Sequence, residues 1–361
     1  MSNYYIRDNQ YTENQIKQLQ FDDITLLTME DKPSSLFKYF PNITNKKGKN
    51  YSIEALKNNT VHLTHPKSFD DPYDSNAFID NSSYIINRLM YYYESCGLSY
   101  GENETYESLL EKLASKLTEQ IHCGNNVEDI FGKSKNKSER ANRNILIMNI
   151  KVRINEGHSD NQSIEECIIN TFYNEYNDNK NTLDKFKISC FSESPYLLLM
   201  WAHYANEHKG FCIEYEIPDF GEGSKNLLGN IYPVIYTDTR NDLSPVFLNW
   251  EESGNPGTEG LCGMYKYGLL SKSIDWKYQK EWRLISLDNI IDVDEKDNCK
   301  FFKIKKVYLG HDMEPNDRKE IIQICKEKKI PYVGVTISDN AFEMKDCSVL
   351  CEDCFKMEEN K

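Results

Sequence analysis

The chain has 361 residues, 39% hydrophobic and 28% charged, with 43 basic against 57 acidic side chains and a net charge of −14. That length buries a sizeable core as one large domain or two modest ones, and the acidic balance excludes a general affinity for nucleic-acid backbones, which need a basic face. No run of about 18 apolar residues and no basic start leading into an apolar stretch occurs, which predicts a soluble, cytoplasmic protein with no membrane partner.

Residues 1–33 are polar and mixed and read as an extension with a short helix; 34–340 read as one α+β domain and 341–361 as a tail. The first strand is 34–40. A loop with the local basic patch Lys46-Lys47-Gly48-Lys49 follows, then a short helix at 52–57 with Ser52 as its N-cap. A second strand at 61–64 leads into a proline turn over 66–74, which carries Asp70, Asp71 and Asp74. Aspartates in such turns commonly cap the following backbone; the rival reading is a divalent-cation site completed by a later carboxylate.

From about 82 to 180, leucine and isoleucine recur at helical spacing within 85–93, 109–121, 145–154 and 164–173, which predicts a helical insertion of three to five helices. Its segment 124–143, rich in Asn, Lys and Ser, is expected to be flexible. Three roles stand open for this region: gating the cleft, pairing with another subunit, or decorating the sheet. Strands dominate from 186: 187–192, 211–215, 232–236, 282–287, 301–309 and 331–335, with helices at 258–274 and 315–329. The second of these helices has Asp317 and Glu320 early and lysines late, in accord with the macrodipole. The eleven cysteines are scattered and read as free thiols; Cys190 and Cys212 act as small hydrophobes inside strands. Cys347, Cys351 and Cys354 crowd together but lack the fourth ligand of a closed zinc site, and no metal is expected. The predicted fold class is α+β, a mixed, mainly antiparallel central sheet with a helical insertion.

Chemistry concentrates in 200–215, where Trp201, His203, Tyr204 and His208 crowd a short helix that starts near Ser194-Pro195 and ends at Gly210, just after the strand Cys190-Phe191-Ser192. Aromatic and imidazole groups at strand ends line clefts. On the late strand, Glu281 and Arg283 are two apart and so share a face, where Arg283 would hold Glu281 ionised or grip a phosphate; a purely structural ion pair is the competing reading. Lys38 and Tyr39 are consecutive in a strand, so regular geometry puts only one of them into a given pocket. Ser192 with His203 lacks the Gly-x-Ser-x-Gly elbow of a serine hydrolase, and no phosphate-binding glycine loop is present.

These segments together resemble the bacterial domain-of-unknown-function family 2971. The resemblance rests on Leu36-Phe37-Lys38-Tyr39, Phe69-Asp70-Asp71-Pro72-Tyr73-Asp74, Cys190-Phe191-Ser192, Trp201-Ala202-His203-Tyr204-Ala205 with His208-Lys209-Gly210-Phe211-Cys212-Ile213, Val234-Ile235-Tyr236, and Lys272, Trp276, Tyr278, Glu281 and Arg283. Asp70 stands where the family usually has asparagine. The order of parts is also similar to the ADP-ribosyltransferase fold, which has a first strand with a basic or imidazole residue, a middle strand with serine and a late strand with a catalytic glutamate. That resemblance places Lys38-Tyr39, Ser189 or Ser192, and Glu281 at those three positions; Lys38 departs from the expected Arg or His.

The resemblance implies an enzyme that uses NAD as substrate and either transfers ADP-ribose or hydrolyses the cofactor. In bacteria such activities often belong to toxins or phage defence. Glu281 is then the catalytic carboxylate with His203 beside it, and Lys38, Tyr39, Ser192, Tyr204 and Arg283 bind the nucleotide. The acceptor is open. Two alternatives stand beside it: a metal-dependent nuclease using Asp71, Asp74 and Glu281, and a non-catalytic module whose cleft senses a nucleotide.

Overall fold

A computed structural model of the chain describes residues 3–19, 32–76, 78–101, 104–219, 225–253, 257–287 and 290–347. Contacts divide it into two units: Met1–Asp74 with Asp184–Thr239 and Leu270–Lys361, and Ser75–Leu183 with Arg240–Leu269.

The first unit is built on an eight-stranded open sheet. Its strands in chain order are β1 (Ser35–Phe40), β2 (Phe186–Ser192), β3 (Phe211–Glu216), β4 (Ile231–Pro233), β5 (Glu281–Leu287), β6 (Ile304–Leu309), β7 (Tyr332–Ile337) and β8 (Met344–Asp346). They lie in the order β8-β7-β6-β3-β1-β2-β5-β4, and every pairing is antiparallel except β6 with β7. The architecture is thus mixed α+β with a mainly antiparallel sheet.

Alternation along each strand gives the sheet two apolar faces. Leu36, Phe40, Phe191, Ile213, Tyr215, Trp282 and Leu284 pack on one face with Ile53 and Leu56 of helix Tyr51–Asn58 and Ile321 and Ile324 of helix Pro315–Lys328. On the other, Phe37, Tyr39, Cys212 and Tyr308 pack on Met200 and Trp201 of helix Leu198–Tyr204. Each large side chain so buried contributes on the order of 1.5–3 kcal/mol.

Two local features shape this second face. First, β1 and β2 pair only at Phe37↔Ser192. Continued register would set Lys38 opposite Phe191 and Tyr39 opposite Cys190; those pairs do not form, and the strands diverge. Second, helix Leu198–Tyr204 is followed by three consecutive non-glycine residues at positive φ, Asn206 (48°), Glu207 (53°) and His208 (68°). The chain then reaches Gly210, where a Cβ would lie 2.0 Å from the Phe40 carbonyl oxygen, while one on Gly310 would lie 2.1 Å from that of His208. Only glycine permits these backbone approaches.

Several local expectations are corrected. Asn50, not Ser52, caps helix Tyr51–Asn58, its Oδ1 accepting from the Ile53 N–H at 3.1 Å; Ser52 lies inside the helix. The strand expected over 232–236 breaks at Val234. Ile231–Pro233 belongs to the main sheet, and Ile235–Thr237 joins Tyr4–Ile6, Asn9–Tyr11 and Ser271–Ser273 in a four-stranded sheet. The break follows from Pro233, which has no N–H to continue a ladder. Phe301 and Phe302 precede β6 as core residues, and Asn298–Lys300 pairs instead with Thr60–His62. The helix expected over 258–274 ends at Gly263 and gives way to a π-helical turn, Met264–Leu269, and then to strand Ser271–Ser273. Residues 1–33, read as an extension with a short helix, hold that helix at Glu13–Gln18 and, in addition, the strands Tyr4–Ile6 and Asn9–Tyr11. Of the cysteine trio, Cys351 and Cys354 lie outside the described residues.

The second unit is helical: Asn81–Ser95, Tyr106–His122, Val127–Phe131, Lys137–Asn155 and Asn161–Lys180, with Ser244–Ser253 and Gly257–Gly263. Asp80, Thr105 and Asp160 cap three of these helices through side-chain oxygens. Leu89, Tyr92, Leu113, Leu117, Leu146, Ile150, Ile168 and Phe172 are buried, and the Arg88 guanidinium meets Glu175 at 2.8 Å. The segment expected to be flexible, 124–143, is largely helical here, held by the buried pair Glu139–Arg143 at 2.8 Å. No helix among the described residues is long and apolar enough to cross a membrane.

Candidate functional site

The divergence of β1 from β2 opens a cavity of about 310 Å³ in the first unit. Phe37, Lys38 and Tyr39 wall it from β1, Cys190 and Phe191 from β2, and Met200 and Tyr204 from helix Leu198–Tyr204. Phe69, Asp70, Asp71 and Asp74 come from the proline turn, and Lys272, Trp276, Gln279 and Glu281 from the approach to β5.

At its base lies a closed ring of four charges of alternating sign. Arg283 Nε donates to Glu281 Oε1 at 2.7 Å, and Lys272 Nζ to Glu281 Oε2 at 2.6 Å. Arg283 Nη2 reaches both oxygens of Asp74 at 2.7 and 2.8 Å, and Lys272 Nζ lies 3.0 Å from Asp74 Oδ2. All four are buried, Arg283 completely and Glu281 to 4% exposure. The ring exists because Glu281 and Arg283 alternate onto one face of β5, while the proline turn and strand Ser271–Ser273 bring the other two members.

Burial alone would raise the Glu281 pKa, but Arg283 and Lys272 outweigh it and hold the carboxyl well below the usual range. Burial would likewise lower Lys272; Glu281 and Asp74 instead raise it. Lys272 spends a further donor on Gln279 Oε1 at 2.8 Å, and Gln279 Nε2 donates to the Tyr204 hydroxyl at 2.9 Å. Burial pushes that hydroxyl up to about 12. The base of the cavity therefore offers acceptors: the carboxylates keep lone pairs, whereas the three donors of Lys272 are committed.

Lys38 is the opposite case. Its Nζ donates to the Cys190 carbonyl at 3.0 Å, an acceptor the divergent ladder leaves open, and lies 5.1 Å from the Phe191 ring centroid. No carboxylate pairs with it among the described residues, and burial lowers its pKa. This also corrects the expectation that Lys38 and Tyr39 cannot share a pocket. The gap between the strands lets the cavity reach Lys38 from the Tyr39 side.

Of the residues singled out from sequence, Glu281, Lys38, Tyr39 and Tyr204 meet at this cavity. Arg283 stands behind Glu281, outside the lining. Ser192 pairs with Glu281 across the β2–β5 ladder, but its hydroxyl is buried and donates to the Gln279 carbonyl at 2.7 Å. Ser189 points to the other face of β2. His203 is outside the lining, its ring 6.4 Å from that of Trp276. Tyr39 is fixed by its hydroxyl, which donates to the Ser194 carbonyl at 2.8 Å, and by the edge of Trp201 at 5.3 Å. Sequence reasoning missed Gln279 as a site residue and left Lys272 as a motif residue without a role; a lysine nine positions before a buried glutamate was the available signal. Among the described residues no group of three or more His, Cys, Asp or Glu is arranged to hold a metal, and Asp74 and Glu281 are both engaged by cations.

Residues 200–284, which supply most of the helix and Lys272, Gln279, Glu281 and Arg283, match the family described as "Protein of unknown function (DUF2971)". No curated protein and no solved structure matches the chain.

Proposed function

We propose that this chain binds a nucleotide in the cleft and breaks the nicotinamide–ribose bond of NAD, passing ADP-ribose to water or to an acceptor hydroxyl. One observation carries the reading: a single cavity with aromatic walls sets an acceptor-only carboxylate floor against a lysine that meets no carboxylate among the described residues. A ribose donates hydroxyls, a phosphate seeks a cation and a base stacks on rings, so a nucleotide satisfies all three surfaces at once. The resemblance to the ADP-ribosyltransferase fold adds support, since the strands with Lys38-Tyr39, Ser192 and Glu281 are neighbours in one sheet.

In the reaction the C1′–N bond breaks heterolytically, its electron pair leaving with nicotinamide and positive charge developing on the sugar. An oxygen of water or of the acceptor forms the new C1′–O bond and releases its proton to solvent. Glu281 contributes a fixed negative charge beside the developing cation. Its depressed pKa makes it a poor base, so it positions and stabilises and does not take the proton. Tyr204 and Trp276 form the ring-binding wall.

Incubating the full chain with NAD and measuring free nicotinamide by chromatography tests the reading. Release is expected, falling by about 10²-fold or more in Glu281→Gln. Because that change touches the buried ring, Phe69→Ala is the second variant, with KM for NAD expected to rise about tenfold through lost wall contact. NAD binding without nicotinamide release by the unaltered protein would overturn the enzyme reading and leave a nucleotide-sensing module.

A further inference from the structure

The cavity at Glu281 is too small for a dinucleotide. About 310 Å³ is at the lower end of the range for small-molecule sites, roughly 300–1,000 Å³, and gives room for one nucleoside. A second cavity of about 870 Å³ lies on the face of β1 that carries Lys38 and Phe40, between helix Tyr51–Asn58 and the paired strands Thr60–His62 and Asn298–Lys300. Lys38 lines both cavities.

The carboxylates Glu54, Asp292 and Asp294 and the lysines Lys38, Lys296 and Lys300 line this second cavity. Of its carboxylates, Glu54 is paired with Lys49 at 2.9 Å, and Asp294 accepts from the backbone N–H groups of Lys296 and Asn298 at 2.8 and 2.9 Å. Among its cations, Lys300 donates to the Asn58 carbonyl at 2.7 Å, and neither Lys300 nor Lys38 meets a carboxylate among the described residues. Two of the lining ammonium groups, Lys38 and Lys300, therefore have no carboxylate contact among the described residues. Beside them stands the Tyr51 ring, 59% exposed, with Lys49 4.7 Å from its centroid.

We propose that the second cavity takes the adenylate half of the dinucleotide, with phosphate on Lys38 and Lys300 and the purine against Tyr51. The proposal rests on the nucleotide reading above and deepens it: Lys38 becomes the point where the ligand passes from one cavity to the other, the diphosphate lying at its ammonium group. Nicotinamide riboside then occupies the Glu281 side, and the adenosine lies on the far side of β1.

Calorimetric titration of the full chain with AMP and, separately, with nicotinamide mononucleotide tests this. AMP is expected to bind, and Lys300→Glu to weaken it about tenfold or more by replacing a phosphate partner with a like charge. Phe69→Ala is expected to leave AMP unchanged and to weaken nicotinamide mononucleotide. Ala55→Trp, which fills the second cavity, is expected to abolish AMP binding; thermal unfolding of each variant shows that the fold is retained. Absence of AMP binding to the unaltered chain, or equal binding to Lys300→Glu, would overturn the proposal. NAD cleavage without AMP binding sinks this inference alone; AMP binding lost in Lys300→Glu, together with no release of nicotinamide from NAD, sinks the enzyme reading alone.

Discussion

At the scale of single residues, the ring of Asp74, Arg283, Glu281 and Lys272 decides how the site responds to change. Removing one member leaves a buried charge without its partner, at a cost of about 3–5 kcal/mol, so Arg283→Met should lose that much in urea unfolding. Asp74→Asn combined with Arg283→Met should lose less than the sum of the two, because the pair disappears together. The pH dependence has a definite sign. Glu281 titrates near about 4.3 in an unfolded chain and well below that when folded. Its contribution is therefore complete above the unfolded value and is lost as pH falls through the folded one. Unfolding midpoints should hold steady from neutrality down to about pH 5 and then fall, with a shallower acid limb in Glu281→Gln. Half of this ring was legible in advance. Glu281 and Arg283, two apart on a strand, had to share a face. Asp74 lies 209 residues from Arg283, and an aspartate in a proline turn looks locally like a cap, so nothing near it in the chain announced its partner.

At the scale of elements, caps and strand pairing carry the lesson. Asn50 and Ser52 are both good N-cap residues, and choosing between them depends on where helical backbone begins, which tertiary packing sets. Asn50→Ala should cost about 1 kcal/mol, whereas Ser52→Ala, whose hydroxyl accepts from the Asn42 N–H at 3.3 Å, should cost less than about 0.5 kcal/mol; thermal unfolding of both variants checks the order. Most strands of the main sheet were legible from apolar runs. The gap between β1 and β2 was not, because periodicity reports which face a side chain takes and is silent on whether the neighbouring strand stays in contact. That gap creates the cavity, and so the most consequential feature of the site was the least visible in sequence.

At the scale of the whole molecule, the chain leaves the sheet unit after Asp74, builds most of a helical unit, returns at Asp184, and leaves once more for Arg240–Leu269. Each unit has its own buried apolar set, so damage to one should remain local. In hydrogen exchange read by mass spectrometry, Arg283→Met is expected to lose protection in β2 and β5 while helices Tyr106–His122 and Asn161–Lys180 keep theirs. Loss of protection in both units together would show that they open as one. The helical unit was legible as an insertion because its leucine and isoleucine spacing is regular; the return at 240–269 was not, since a short apolar helix there reads equally well as part of the sheet unit.

The glycine crossing behind helix Leu198–Tyr204 has a consequence for how a ligand gets in. With backbone resting on backbone at Gly210 and Gly310, the turn that follows this helix is held against the ends of β1 and β6, which anchors the C-terminal end of the helix that carries Tyr204. The wall on the facing side is the short turn Pro66–Ser68 and the aspartates that follow it, for which no comparable backbone clamp exists among the described residues. Tethering that turn to its neighbours by an engineered cross-link should slow entry and exit of ligand while leaving the floor of the cleft untouched.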